Sequence, residues 1–325
     1  MRKVLSVILC AVMFLTIFGV GIYSAPEDPE GEAINSAADF AAMNPGEKYY
    51  LDADITVDQT YTDAFTGTFD GNGHTVTVSV PMFAQFDGTV KNLTLEGVIT
   101  GSDEEDFAAF ALYTEKGMTA IDVVNNVDVT ATGTGTLELY VGGFLGDSAA
   151  GSMSKFFRRT NNVNITLSAE YKYSGAGGFA GRTDGFEFKY CVNNGEISAS
   201  SDNSRAGGFV GRAVYKAGTN RGSLVDCTNT GNVISGYDAG GMVAYLGVKG
   251  NDTYIPYTVK YCVNTGDITG KNQVGGLVGY SYGGGTKQYI LIISSVSDAT
   301  IYAGRDNNCF ASPFVGYSNK AVIVS

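Results

Sequence analysis

The sequence predicts an all-β fold, a right-handed parallel β-helix of about eight coils with a short capping helix at its N-terminal end. Three observations lead to this prediction. A glycine-rich box recurs every 27 to 37 residues, an asparagine box recurs downstream of it, and the apolar runs are short and β-branched or aromatic. A repeat of this length is typical of solenoids, in which each coil packs only on its neighbours.

The glycine box is centred on one large apolar side chain. Its copies read VGGFLG (141–146), AGGFAG (176–181), AGGFVG (206–211), AGGMVA (239–244), VGGLVG (274–279) and ASPFVG (311–316). With two looser upstream copies, the aligned apolar column is Phe83, Phe110, Phe144, Phe179, Phe209, Met242, Leu277 and Phe314. We expect this column to stack inside the solenoid, while the glycines let the backbone turn and let adjacent coils approach closely.

The asparagine box places one asparagine in each coil. It reads CVNNGEI at 191–197 and CVNTGDI at 262–268, and the aligned column is Asn125, Asn161, Asn193, Asn229, Asn264 and then Ser297. We expect an amide ladder at a tight turn, because asparagine tolerates left-handed φ values and its amide can bond both the turn and the next asparagine. Both boxes are therefore interpreted as structural.

Each repeat holds about three strands, which fits one coil of a parallel solenoid whose coils stack about 4.8 Å apart. A propeller blade would need four strands and a longer period, and leucine-rich repeats would show regular leucines. Neither pattern is present in the sequence.

Residues 1–25 predict a secretory signal peptide, because Arg2 and Lys3 precede an apolar run that ends before Ser24 and Ala25. A retained membrane anchor is the alternative. An acidic leader is expected at 26–33 and a single β-helix domain at 34–325. Within it, residues 35–46 predict a short helix, with Ser36 or Asn35 as N-cap, that covers the N-terminal end of the solenoid.

The last residues, 319–325, contain an uncharged and β-prone run. We expect this run either to fold back across the last coil or to dock against a partner or a second copy.

Three cysteines, Cys191, Cys227 and Cys262, share one repeat position, and Cys309 lies apart from them. Two interpretations stay open: stacked, buried thiols that act as small apolar residues, or a disulfide between adjacent coils. The spacing does not match a zinc site, so no metal or cofactor is predicted.

The charge of the chain argues against binding to nucleic acid or anionic membranes, except for membrane contact through an uncleaved signal. The formal net charge is −12, and without the signal peptide the remaining 19 basic and 33 acidic residues give −14. The variable segments between the two boxes differ, since they hold ten basic and five acidic residues and many tyrosines.

Insertions at one repeat position emerge on one face of a solenoid, which is often the binding face. The segments therefore predict a Tyr-rich, mildly basic face for glycans or other anionic polymers, since aromatic rings stack on sugars and basic groups pair with acids. Its residues are Tyr215, Tyr245, Tyr254, Tyr257, Tyr280, Tyr282, Arg212, Lys216, Arg221 and Lys249. The alternative is that these tyrosines simply pack on the coil.

No catalytic residues are predicted. Enzymes that cleave polysaccharides need paired carboxylates, or calcium-binding acids with a basic residue. The single histidine, His74, lies in FDGNGH, where Asp70 and Asn72 are expected to form a turn. The acidic run 103–106 is expected to be a solvated loop.

The boxes AGGFAGR, AGGFVGR and VGGLVGY resemble GLUG-type repeats of bacterial surface and secreted β-helix proteins. The segment FTGTFDGNGHTVTV (65–78), after KYYLDADITV (48–57), is similar to the opening of many pectate-lyase-like β-helices. The resemblance covers residues 34–325. It implies an exported bacterial protein, secreted or at the cell surface, with an adhesive or scaffold role and no catalytic residues. The expected partner is a polysaccharide, or a protein on a host or another cell; the alternative is a lyase or glycoside hydrolase.

Overall fold

The structure, a computed structural model, describes residues 28–102, 106–134, 138–170, 173–216, 222–249, 256–283, 289–304, 309–319 and 321–325. The predicted signal peptide lies outside these ranges. Residues Gly31–Ser325 form one compact unit. Among the described residues, no helix is long and apolar enough to cross a membrane.

The described chain is almost entirely β-structure, with one short helix, α1 (Ala37–Ala41). In chain order the strands are β1 (Glu32–Ile34), β2 (Lys48–Leu51), β3 (Ile55–Val57), β4 (Tyr61–Phe65), β5 (Thr68–Asp70), β6 (Thr75–Val78), β7 (Phe83–Phe86), β8 (Thr89–Ser102), β9 (Phe107–Ala108), β10 (Ala111–Thr114), β11 (Thr119–Thr134), β12 (Glu138–Gly142), β13 (Leu145–Ser148), β14 (Met153–Phe157), β15 (Thr160–Asn161), β16 (Ile165–Glu170), β17 (Tyr173–Gly177), β18 (Ala180–Thr183), β19 (Gly185–Lys189), β20 (Val192–Asn193), β21 (Ile197–Ala199), β22 (Ser204–Gly207), β23 (Val210–Lys216), β24 (Gly222–Val225), β25 (Thr228–Asn229), β26 (Val233–Ser235), β27 (Asp238–Gly240), β28 (Val243–Lys249), β29 (Pro256–Lys260), β30 (Val263–Asn264), β31 (Ile268–Gly270), β32 (Gln273–Gly275), β33 (Val278–Gly283), β34 (Tyr289–Ile293), β35 (Val296–Ser297), β36 (Ile301–Ala303), β37 (Phe310–Ser312), β38 (Val315–Ser318) and β39 (Ala321–Val324).

These strands form three sheets that run along the axis of a parallel β-helix. The second sheet contains β4, β7, β10, β13, β18, β23, β28, β33 and β38; the third contains β9, β12, β17, β22, β27, β32 and β37; the first contains the other 23 strands. Each strand pairs in parallel with its equivalent in the next coil, as Ala206 does with Ala239. The all-β parallel β-helix is confirmed.

The predicted number of about eight coils is slightly too high. Six full turns separate the seven strands of the third sheet. The capping helix is a minor element of one turn. Ser36 is its N-cap and accepts a hydrogen bond from the Asp39 backbone N–H at 3.2 Å, and Phe40 is buried against Phe83, with ring centroids 5.4 Å apart. The paired structure begins with β1 at Glu32, two residues before the predicted start of the domain.

The predicted apolar column lies in the interior. Phe144, Phe179, Phe209, Met242 and Leu277 are fully buried, and Phe314 is partly buried against the same core. Ring stacking follows the axis: the centroids of Phe110 and Phe144 are 4.3 Å apart, and those of Phe179 and Phe209 are 4.8 Å apart. Each such burial stabilises the fold by roughly 1.5–3 kcal/mol.

The asparagine ladder is also present. The side-chain nitrogens of Asn125, Asn161, Asn193 and Asn229 each donate to the side-chain oxygen of the next asparagine, over 2.9, 2.8, 2.7 and 2.7 Å. The two boxes contact each other at this ladder. A Cβ added to Gly208 would lie 2.5 Å from the Asn229 side-chain oxygen and 2.2 Å from the Gly241 carbonyl oxygen, so only glycine fits there.

The left-handed residues do not lie at the ladder, as the sequence predicted, but three positions earlier. Seven coils carry a positive φ at this corner: Asn92, Asp122, Arg158, Tyr190, Asp226, Tyr261 and Ser294. The backbone corner therefore precedes the asparagine, and tyrosine and arginine occupy a conformation that is costly for them.

The residue after each corner points inward. Here Cys191, Cys227 and Cys262 are fully buried, free thiols, and each lies within hydrogen-bonding distance of the backbone carbonyl two residues before it. One coil earlier the same position holds Arg159, which is 1% exposed. Its guanidinium carbon lies 3.3 Å from the Phe144 ring centroid, and its nitrogens have no hydrogen-bond partner among the described residues. Burial lowers the pKa of Arg159 to about 9.

The C-terminal run does not fold back across the last coil. Strand β39 pairs in register with β34, from Ala321 opposite Tyr289 to Val324 opposite Ile292. The run is hydrophobic and β-prone, and so it continues the first sheet as one more strand.

Candidate functional site

The candidate site is built by the residues that flank the glycine box. The residue directly after each box follows the same register along the second sheet: Arg182 pairs with Arg212, Arg212 with Tyr245, Tyr245 with Tyr280 and Tyr280 with Tyr317. The residue directly before each box forms a second column on the third sheet, with Tyr140, Gly175, Arg205 and Asp238 in register.

We call this surface the Arg–Tyr face, because arginines and tyrosines of the two columns contact each other. It comprises Glu138, Tyr140, Asp147, Tyr173, Arg182, Arg205, Arg212, Asp238, Tyr245, Tyr280, Tyr282, Phe310 and Tyr317. The guanidinium carbon of Arg205 lies 4.4 Å from the Tyr245 ring centroid, and that of Arg182 lies 4.5 Å from the Tyr140 ring centroid. These are distances at which a cation is attracted to an aromatic face.

Toward the N-terminal coils the face is a network of ion pairs. Arg182 binds Asp147 in bidentate fashion, with Nε–Oδ1 and Nη2–Oδ2 distances of 2.5 Å. Glu138 accepts hydrogen bonds from Arg182 at 3.0 Å, from Arg212 at 3.1 Å and from the Tyr140 hydroxyl at 2.6 Å. Burial by itself would raise the pKa of Glu138. The hydrogen bonds and positive charges of these donors have the larger effect and hold its pKa below the ordinary value.

Asp106, just before the third sheet begins, is hydrogen-bonded to Asp147 and accepts a bond from the Tyr140 backbone N–H at 2.9 Å. Burial, reinforced by the Asp147 carboxylate, raises the pKa of Asp106 to about 8, and burial also raises that of Asp147. Two carboxyls in contact share a proton at neutral pH. They are closer together than the pair that flanks a glycosidic bond.

Toward the C-terminal coils the face is aromatic. The ring centroids of Tyr245 and Tyr280 are 5.4 Å apart, and those of Tyr280 and Tyr317 are 5.6 Å apart. Tyr282 and Phe310 flank this column at 6.4 Å from Tyr280 and 5.4 Å from Tyr317. Tyr282, Phe310 and Tyr317 are exposed by 46, 44 and 38%. The rings form an axial track with one column member in each coil.

The structure brings four predicted residues together on this face: Arg212, Tyr245, Tyr280 and Tyr282. Tyr257 is not part of it, because its ring is buried over Gly222, where the missing side chain lets it reach Phe186 at 6.2 Å. Strands β23 and β28 contain Tyr215, Lys216 and Lys249, whose side chains lie outside the described part of the structure. Tyr254, Arg221 and the acidic residues 103–105 also lie outside the described residues.

Sequence reasoning missed Tyr140, Tyr173, Arg182, Arg205, Phe310 and Tyr317. A signal for two of them was present, since the position after the glycine box reads Asp147, Arg182, Arg212, Tyr245, Tyr280 and Tyr317. The expected turn at Asp70 and Asn72 is confirmed: Asn72 has φ 49° and its N–H donates to Asp70 at 2.8 Å. Within the described ranges, no three His, Cys, Asp or Glu side chains are arranged to hold a metal ion.

Comparisons with known proteins agree with this architecture. The family model described as "The GLUG motif" matches residues 202–234, which include the box AGGFVG. No curated protein matches the sequence. The crystal structure of a "putative immunoglobulin A1 protease from Bacteroides ovatus" is 17% identical, with a TM-score of 0.51 over 92% of this chain and 86% of that one.

A second solved structure, described as "IgA1 Protease", is 18% identical with a TM-score of 0.39, over 92% of this chain and 22% of that one. At these identities the Bacteroides ovatus structure shows a shared fold alone. The chain thus carries a GLUG motif, within a parallel β-helix that has a solved structural neighbour.

Proposed function

We propose that this protein is an exported β-helix protein, secreted or at the bacterial cell surface. Its Arg–Tyr face binds carbohydrate, and the protein does not cleave it. The axial track of tyrosine rings carries the proposal, because the half-buried rings of Tyr245 and Tyr280 and the exposed ring of Tyr317, one in each of three coils, offer stacking surfaces to successive sugars of a chain. The N-terminal sequence, which predicts a signal peptide, and the GLUG motif support the extracellular setting.

A screen of the purified protein on a glycan array tests the proposal. We expect binding to a polysaccharide or long oligosaccharide, and loss of that binding in the double variant Tyr280→Ala/Tyr317→Ala. The exposed Tyr302 lies on the first sheet, so Tyr302→Ala is a matched control that should bind like the unchanged protein. An array without a positive spot would refute the proposal.

Cleavage of a polysaccharide is the second candidate function. It is favoured by one observation, namely that Asp106 is hydrogen-bonded to Asp147 of the Arg–Tyr face and that burial raises the pKa of Asp106 to about 8. A reducing-end assay on each polysaccharide that binds decides between the two. If the protein produces new reducing ends and the Asp106→Asn variant does not, then the function of the face is catalysis and not binding alone.

A further inference from the structure

The arginines of the Arg–Tyr face are already neutralised by carboxylates of the same face. Arg182 is paired with Asp147 at 2.5 Å, Arg205 with Asp238 at 3.0 Å and Arg212 with Glu138 at 3.1 Å. Three positive charges thus meet three negative ones, although the variable segments nearby have an excess of basic residues. The basic character that the sequence predicts also rests on Arg221, Lys216 and Lys249, whose side chains lie outside the described part of the structure. The described arginines of the face are balanced by these carboxylates.

The Arg205–Asp238 pair is the least replaceable of the three. Its two side chains are 9% and 0% exposed, and Asp238 also accepts from the Asn272 side chain at 3.1 Å. A ligand carboxylate that took Arg205 from Asp238 would leave a buried carboxylate without its counter-ion, which costs several kcal/mol. Arg182 is bound by two carboxylates at once and is similarly committed.

The aromatic track is aligned with the axis. Its members occupy one register position in successive coils, and their ring centroids lie 5.4 and 5.6 Å apart, a little more than the strand separation of about 4.8 Å. A linear polymer that lies along the axis can therefore meet one ring after another, whereas a chain that crosses the axis meets only one coil.

Resting on the proposed function, we infer that the ligand is an uncharged polysaccharide that lies lengthwise on the Arg–Tyr face, with successive sugars over Tyr245, Tyr280 and Tyr317. The C–H faces of neutral sugars stack on the rings, and their hydroxyls exchange hydrogen bonds with the ion-paired side chains beside them. An acidic polysaccharide would bring carboxylates close to Glu138 and Asp147, and the arginines among the described residues of the face are already paired.

Affinity electrophoresis of the purified protein tests this inference. Gels contain either a neutral polymer (mixed-linkage glucan, xylan or galactomannan) or an acidic one (polygalacturonate or alginate). We expect at least one neutral polymer to retard the protein, and the dissociation constant to stay within about twofold when salt rises, because screening acts on charges and not on stacking. Tyr280→Ala should weaken binding about three- to tenfold. Tyr282→Ala is a second variant at an exposed position, and Tyr302→Ala is the control.

The outcomes separate this inference from the proposed function. Retardation by acidic polymers alone, abolished by salt and by Arg212→Gln, would overturn the inference and leave carbohydrate binding in place. Retardation by a neutral polymer that neither Tyr280→Ala nor Tyr282→Ala weakens would place the site elsewhere on the protein and overturn the inference. Retardation by no polymer, together with an empty glycan array, would overturn the proposed function as well.

Discussion

Arg159 occupies the inward position at which later coils carry Cys191, Cys227 and Cys262. A buried guanidinium without hydrogen bonds is costly, because the lost hydration of a charged group is not replaced. Its stacking on Phe144, with 3.3 Å between the guanidinium carbon and the ring centroid, offsets only part of that cost. A residue that is destabilising for the fold therefore lies in the interior of the solenoid.

We predict that Arg159→Met raises the free energy of unfolding by about 1–3 kcal/mol, because methionine fills a similar volume without a charge to desolvate. Urea unfolding at pH 7 measures this change. The neighbouring Arg158, which is exposed and paired with Asp122 at 2.7 Å, gives the matched control. Arg158→Met should lower stability by less than about 1 kcal/mol. A less stable Arg159→Met protein would mean that the guanidinium has an anionic partner.

The effect of Arg159→Met should depend on pH. An arginine in an unfolded chain keeps its proton up to about pH 12.5, whereas burial lowers the pKa of Arg159 in the folded protein to about 9. Between these values the unfolded state binds more protons, so the contribution of this group to stability rises with pH, by up to about 1.4 kcal/mol per unit. The advantage of Arg159→Met in urea unfolding should therefore be smaller at pH 10.5 than at pH 7.

At the scale of the elements, the glycine box and the asparagine box form one unit. In the boxes that precede the last two, the second glycine lies against an asparagine amide, as Gly178 does against Asn193 and Gly208 against Asn229. The same amide donates to a carbonyl two residues further on, at 2.9 Å for Asn193 and 2.8 Å for Asn229. The two boxes recur together because each coil needs both for the turn to close.

We predict that Asn229→Ala costs about 2–4 kcal/mol of stability, because it removes the acceptor of one buried Asn193 N–H and the donor to the buried Asn264 side-chain oxygen. The matched control is Asn194→Ala. Asn194 belongs to an exposed ladder, in which it donates to Asn162 at 2.9 Å, and its loss should cost less than about 0.5 kcal/mol. Thermal unfolding of both variants compares the buried with the exposed ladder. Equal losses would show that the buried amides do not stabilise the coil.

The periodic parts of the molecule could be predicted from the sequence, because one column of side chains meets the same environment in every coil. For this reason the repeat predicts the positions of Phe209 and Asn229 in their columns. The Arg–Tyr face could be predicted only in part, because its residues are unlike one another: Asp147, Arg182 and Tyr245 share a register position but no chemistry. Tyr257 was misplaced, since its burial depends on the space above Gly222, one coil earlier in the chain.

At the scale of the whole molecule, the solenoid buries its core with coils that pair only with the adjacent coils. At its N-terminal end, α1 places Phe40 against the rings of Tyr61, Phe69 and Phe83, with centroids 6.0, 6.1 and 5.4 Å away. Strand β1 pairs with β2 at the same end. Together they cover apolar side chains and a strand edge that would otherwise recruit other chains.

We predict that deletion of residues 26–46 yields a protein that associates, because it removes β1 and Phe40 and so exposes the edge of β2. Sedimentation velocity across a range of protein concentrations measures this. Ser36→Ala is the matched control, because it removes only the N-cap, costs about 1 kcal/mol and should leave the protein monomeric. A truncated protein that stays monomeric would show that these residues do not protect the end.

The asparagine ladder has a direction. Each amide nitrogen donates toward the following coil, and the last step, from Asn264 to the Ser297 hydroxyl, has lengthened to 3.4 Å. Suppose that a duplication adds one coil within the ladder. The ladder side chain of that coil must accept a hydrogen bond from the coil before it. It must also donate one hydrogen bond to the next coil and one to its own turn. Asparagine meets all three needs, whereas the single hydrogen of serine cannot serve both donations. The ladder between Asn125 and Asn264 can therefore take up an additional coil by duplication. The coil of Ser297 is the first that cannot make both donations.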